Sequence, residues 1–166
     1  MLIRAFGLFW RSDEVWPDGR GRSELLGRRG RRLAVVEICN FWRQQGLYVL
    51  YNAYGPYYVG LVRQGTLGNR LYSHHFRDGH RGKWDRFSWF GFCGVLGARD
   101  EHGLQLLKAR PERARGSLYD AIGDIEALLI NALGPRANRH FEHFGDAFEW
   151  TQVLSDERDD LLARLV

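Results

Sequence analysis

The sequence predicts an α/β chain of the α+β kind: a three-stranded, mainly antiparallel sheet flanked by helices. Three observations predict it. Two β-rich runs, GLYVLY and PYYVGLV, flank a short turn, NAYG. A third run, RFSWFGFCGVLG, alternates enough to be half buried. Two segments with leucine and isoleucine at helical spacing complete the set. At 166 residues there is room for one compact domain with a core, and too little for two of ordinary size.

Residues 1–45 are expected to form a basic N-terminal arm packing on the core. A hydrophobic anchor, LIRAFGLFW, leads into turn-rich RSDEVWPDGRGRSELLGRRGRR and then apolar LAVVEICNFW. Pro17, Asp18 and Gly19 are turn chemistry, so Arg28, Arg29, Arg31 and Arg32 are expected in solvent. The chain holds 22 arginines and two lysines, and the arm carries nine arginines against five acids while the rest balances to zero. An arginine-rich excess suits a phosphate backbone, because guanidinium forks match phosphate oxygens. It equally suits an ordinary solvated surface, and charge does not choose between them.

From Gly46 the pattern becomes a hairpin. With Ala53, Tyr54 and Gly55 as a three-residue loop, Gly55 in the left-handed position, Asn52 faces Pro56, Leu50 faces Tyr58 and Tyr48 faces Gly60. Tyr48 and Tyr58 then share a face, and Gly60 leaves space opposite Tyr48. TLGNRLYSHHF follows as a helix capped by Thr66, with Leu67 and Leu71 inward and Arg70 and His74 one turn apart on another face. After the charged loop RDGHRGKWD and the third strand, ARDEHGLQLLKARPERARG reads as a loop with a short helix or strand. Ser117 opens the clearest helix, whose apolar stripe is Leu118, Ile122, Ile125, Leu129 and Leu133, ended by Gly134 and Pro135. Glu126 lies on the shoulder of that stripe, where a carboxylate needs a partner.

The segment 141–166 carries seven acids against two arginines and is expected to be a C-terminal helical extension, one or two helices covering the domain. A contact with a partner protein or a second copy is the alternative for this tail. Cys39 and Cys93 have no zinc-ligand spacing and read as buried apolar residues. The histidines of HHFRDGH (His74, His75, His80) and HFEH (His140, His143) are weak evidence for a metal cluster. No apolar run is long enough to cross a bilayer and the start lacks a secretory signal, so a soluble, cytoplasmic protein without membrane contact is expected.

The ordered set GLY (46–48), YVG (58–60), Arg70 on the next helix, Glu126 on a later one and NR (138–139) resembles the GIY-YIG nuclease superfamily over residues 46–140. That resemblance implies metal-dependent hydrolysis of a nucleic-acid phosphodiester. It makes Glu126 the carboxylate for Mg²⁺ or Mn²⁺ and Arg70 the cation that stabilises the transition-state phosphate. Tyr48 and Tyr58 flank the attacking water, His74 contacts the phosphate or assists proton transfer, and Asn138 orients the site. Where the family often has a lysine after the second motif this chain has Leu61, and Arg63 is the candidate replacement. The implied function is a DNA endonuclease acting on double-stranded DNA with one metal ion, in restriction or phage defence. The alternative is a catalytically weak GIY-YIG-fold subunit that binds nucleic acid within a larger complex.

Overall fold

The computed structural model describes residues 2–17, 19, 23–29, 36–108, 118–135 and 144–165. In chain order the elements are β1 (Ala5–Arg11), α1 (Ser12–Val15), β2 (Leu26–Arg29), β3 (Glu37–Asn40), β4 (Gly46–Asn52) and β5 (Gly55–Val62). They continue with α2 (Leu67–Phe76), β6 (Arg86–Gly91), β7 (Val95–Arg99), β8 (Gln105–Leu107), α3 (Leu118–Leu133), β9 (Phe148–Glu149), β10 (Thr151–Gln152) and α4 (Arg158–Ala163). The α+β class holds, but with two five-stranded sheets in place of one three-stranded sheet: β5-β4-β6-β1-β9 and β10-β2-β3-β8-β7. The third strand candidate is split between them, β6 in the first and β7 in the second.

The first sheet separates two layers of core because side chains alternate along its strands. Tyr48, Leu50, Phe87, Trp89 and Trp10 share one cluster with Leu67 and Leu71 of α2. Val49, Tyr51, Phe90 and Phe6 share the other with Ala127 and Ala132 of α3. The two helices therefore cover opposite faces.

The N-terminal segment is more than an arm. Residues 5–11 pair antiparallel with β6 inside the first sheet, and Trp10 and Trp16 are buried. Pro and Gly in the intervening turn disguised strands that only long-range pairing defines. The tail differs too: β9 pairs with β1, β10 with β2, and among its described residues α4 alone is an α-helix. Its charges meet those of the N-terminal segment, Arg28 Nε donating to Glu157 at 3.1 Å and Arg158 Nε to Glu24 at 2.9 Å. Cys39 and Cys93 are both buried, as the sequence predicts.

Helix α3 departs from its sequence pattern. Ile122, Ile125, Leu129 and Leu133 are each half exposed or more, whereas Asp124, Ala127, Ile130, Asn131 and Ala132 face inward. Small residues face the sheet because Tyr51, Phe90 and Phe144 supply the bulk there, and Tyr51 Oη donates to the Ala132 carbonyl at 2.8 Å. Gly134, at φ +57°, closes the helix through its N–H to the Ile130 carbonyl, as the glycine predicted. Ser117 lies outside the described residues.

Candidate active site

The hairpin sets the first two groups. Leu50 pairs with Tyr58 and Tyr48 with Gly60, as the sequence predicts, while at the tip Asn52 pairs with Gly55 and Tyr51 with Pro56. The tip is shorter by one residue because Asn52 Oδ1 accepts the Tyr54 N–H at 2.9 Å, and a bulge absorbs the difference at Tyr57. Tyr48 is fully buried, with ring centroids 6.2 Å from Tyr58 and 5.7 Å from His74. Helix α2 brings in the rest. Thr66 Oγ1 accepts the Asn69 N–H at 3.2 Å, Leu67 and Leu71 turn inward, and His74 follows Leu71 into the protein while Arg70 stays exposed.

Tyr48 Oη lies 2.6 Å from His74 Nε2, and His74 Nδ1 lies 2.6 Å from Asp78 Oδ2. Asp78 Oδ1 accepts the His80 N–H at 2.9 Å, and His80 Nδ1 stands 3.1 Å from Tyr57 Oη. The His80 ring is 4.5 Å from that of Tyr58 and 4.8 Å from that of His74. Asp78 and Tyr57 were not among the sequence candidates, and His80 entered only through the weak HHFRDGH metal pattern. The i,i+4 spacing of His74 and Asp78 was the signal that could have found Asp78; Tyr57 reaches the cluster only through the bulge, which no pattern announced. His75, in contrast, stacks on Trp16 at 4.7 Å, a packing role.

Burial pushes the Tyr48 phenol above its ordinary range, with Tyr58 adding and Arg70 opposing. Burial also pulls His74 below its ordinary range, outweighing the lift from Asp78. The ring is therefore neutral at neutral pH. A carboxylate at Nδ1 fixes the proton there, so Nε2 accepts from the Tyr48 hydroxyl. Asp78 is itself held below the usual carboxylate range: burial raises it, but the His80 N–H and the His74 ring outweigh burial.

Glu126 stands apart. It is exposed on α3, the helix that covers the Val49–Tyr51 face, whereas Tyr48 and His74 lie against α2. Among the described residues no hydrogen bond or ion pair engages its carboxylate. Asn138, Arg31, Arg32, His140 and His143 lie outside the described residues. Arg28 and Arg29, expected in solvent, are half buried and engaged. Arg28 pairs with Glu157, and Arg29 donates to Glu37 at 2.6 Å while its guanidinium lies 3.9 Å over the Phe148 ring. Exposed cation is concentrated elsewhere: Arg63, Arg70, Arg77, Arg81 and Lys83 are all exposed, and across residues 63–83 only Asp78 opposes them.

Compared with protein-family models, curated proteins and solved structures, the chain matches none.

Proposed function

We propose that the face shared by Tyr58, Tyr48, His74 and Arg70 hydrolyses phosphodiester bonds of nucleic acid, double-stranded DNA first, as a GIY-YIG-like endonuclease. The observation that carries this reading is the continuous line Tyr48 Oη, His74 Nε2, His74 Nδ1, Asp78 Oδ2, with 2.6 Å at each hydrogen bond. Such a line moves a proton without requiring a free tyrosinate, which burial disfavours. Tyr58 is half buried and is the tyrosine a water can reach; Tyr48 is closed to solvent. As water attacks phosphorus, Tyr58 takes up the departing proton while giving its own to Tyr48, with which it shares a side-chain hydrogen bond; Tyr48 in turn passes its proton to His74 Nε2, and Asp78 stabilises the imidazolium. Exposed Arg70 lies close enough to act on both Tyr48 and His74, and it meets the charge that builds on the phosphate oxygens. The surrounding arginines supply the grip on the strand.

A second reading is a nucleic-acid-binding protein that keeps this arrangement without efficient turnover, and the exposed position of Glu126 favours it. Nicking of plasmid DNA in Mg²⁺, run on single-stranded, double-stranded and branched substrates, separates the two. Tyr58→Phe, His74→Ala and Arg70→Ala are each expected to lower the rate by roughly 10²-fold or more. Equal nicking by the parent protein and these variants removes the enzyme reading, and binding without cleavage supports the second.

A further inference from the structure

Mg²⁺ chemistry calls for oxygen ligands, yet the donors assembled beside the tyrosines are two imidazoles and one carboxylate. One ligand atom from each of His74, Asp78 and His80 lies within 4.8 Å of the others. Each ligand is already oriented from outside the group. His74 Nε2 is held by Tyr48, His80 Nδ1 faces the Tyr57 hydroxyl, and Asp78 Oδ1 holds the His80 N–H. Those contacts leave His74 Nδ1, His80 Nε2 and Asp78 Oδ2 as the three remaining donor atoms. Orientation of ligands by outer hydrogen bonds is what metal sites need, and it is costly to build without purpose.

We infer that His74, Asp78 and His80 form a three-ligand site for a divalent transition ion of the Zn²⁺ or Co²⁺ type, with a fourth position open towards Tyr58. Nitrogen-rich donors favour such ions over Mg²⁺. Tetrahedral ligands stand roughly 3.4 Å apart, given metal–nitrogen bonds of about 2.0–2.1 Å. The His74 Nδ1–Asp78 Oδ2 pair, 2.6 Å apart, therefore opens as the ion enters, while His80, half exposed in the loop after α2, closes in from its greater distance. The ion takes the place of the proton that His74 Nδ1 shares with Asp78. The ring proton then sits on Nε2 and donates to the Tyr48 oxygen, so occupancy turns His74 from an acceptor into a donor. Two neutral rings and one carboxylate leave a net positive centre, suited to a phosphate oxygen. This assignment rests on the reading of the site proposed above and gives it two states: the proton path through His74 Nε2 belongs to the ion-free site, and with the ion bound its positive charge would take over the task of His74.

The test is titration of the full-length, chelator-treated protein with Co²⁺, followed by visible absorption. The expected result is one Co²⁺ per chain with tetrahedral ligand-field bands. His80→Ala and Asp78→Asn should weaken binding at least tenfold, while Glu126→Gln and the exposed control His102→Ala should bind like the parent. Circular dichroism checks that each variant is folded, and Zn²⁺-induced elevation of Tm in the parent, absent in Asp78→Asn, gives a second readout. Featureless spectra with no Tm response overturn the site, as does loss that follows Glu126→Gln or His102→Ala. Binding as expected with no cleavage of any substrate removes the nuclease reading and keeps the metal site; cleavage without Co²⁺ uptake does the reverse.

Discussion

Gly60→Ala is the smallest change that should dismantle the site. The backbone at 60 tolerates any residue, since Gly60 is not among the positive-φ glycines, so the effect is purely steric. A Cβ built there stands 2.1 Å from Tyr48 Cζ and 2.2 Å from its Oη. Ordinary contact begins near 3.4 Å, so the ring must retreat by about 1.3 Å. Tyr48 is fully buried and has no solvent to move into. Overpacking of this kind costs about 1–3 kcal/mol. A shift of that size also breaks the 2.6 Å bond to His74, and an unmade buried hydrogen bond adds about 1–2 kcal/mol. Urea unfolding should therefore show a loss of roughly 2–5 kcal/mol, and nicking should fall at least as far as in His74→Ala. Gly79→Ala, whose Cβ meets nothing within 4 Å, is the control and should leave both unchanged. Parental stability and activity in Gly60→Ala would show that Tyr48 does not occupy the space opposite residue 60, and the relay would fall with it.

Burial pushes the Cys39 thiol up to about 12, so it should resist iodoacetamide at pH 8 until urea unfolds the chain; rapid native labelling contradicts its burial. The same raised value makes Cys39 a source of stability present below about pH 9 and lost as pH climbs towards 12, at about 1.4 kcal/mol per pH unit. Cys39→Ala should flatten that part of the urea-stability profile. Leu71→Ala, in the α2 core, should cost about 2–5 kcal/mol; Leu129→Ala, half exposed on α3, should cost less than about 1 kcal/mol, and a reversed order in urea unfolding refutes the orientation of α3. Arg77→Gln with Arg81→Gln should lower the slope of log affinity for DNA against log salt by roughly 1.8, by counterion release, whereas Arg28→Gln should leave the slope unchanged.

The hairpin and α2 were legible because their causes are local. An Asx turn, a threonine cap and a pair of leucines one turn apart fix Tyr48, Tyr58, Arg70 and His74 without help from the rest of the chain. Even there the sequence missed one residue at the tip, since a bulge trades a longer loop for better turn hydrogen bonding. Helix α3 was legible as a helix and misread as a surface. Its aliphatic stripe is the strongest periodic signal in the chain, but burial of a helix face depends on what the sheet offers, and Tyr51, Phe90 and Phe144 supply the bulk against which Ala127 and Ala132 pack. Strand β1 was hidden for the same reason: its pairing with β6 spans some eighty residues, and nothing near it in sequence turns the apolar anchor LIRAFGLFW into a strand of the sheet.

These two kinds of error bear unequally on the chemistry. Every group in the line from Tyr48 to Asp78, with Tyr57, Tyr58, Arg70 and His80 around it, comes from one continuous segment, residues 48–80, whose geometry is set by one hairpin and one capped helix. Glu126 stood out in the sequence on two grounds, the GIY-YIG resemblance and its place on the shoulder of a stripe expected to be buried, and with that stripe exposed the second ground disappears. A phosphodiester hydrolase needs positive charge next to the phosphate, and the segment has it in the exposed arginines; the group of His74, Asp78 and His80 would add to it only with a cation bound. If the segment is self-sufficient, Glu126→Ala should leave both Tm and nicking within about twofold of the parent, in line with an exposed side chain away from the reacting groups. A loss approaching that of Arg70→Ala would mean that α3 reaches the tyrosines when DNA is bound, and the carboxylate would return to the mechanism.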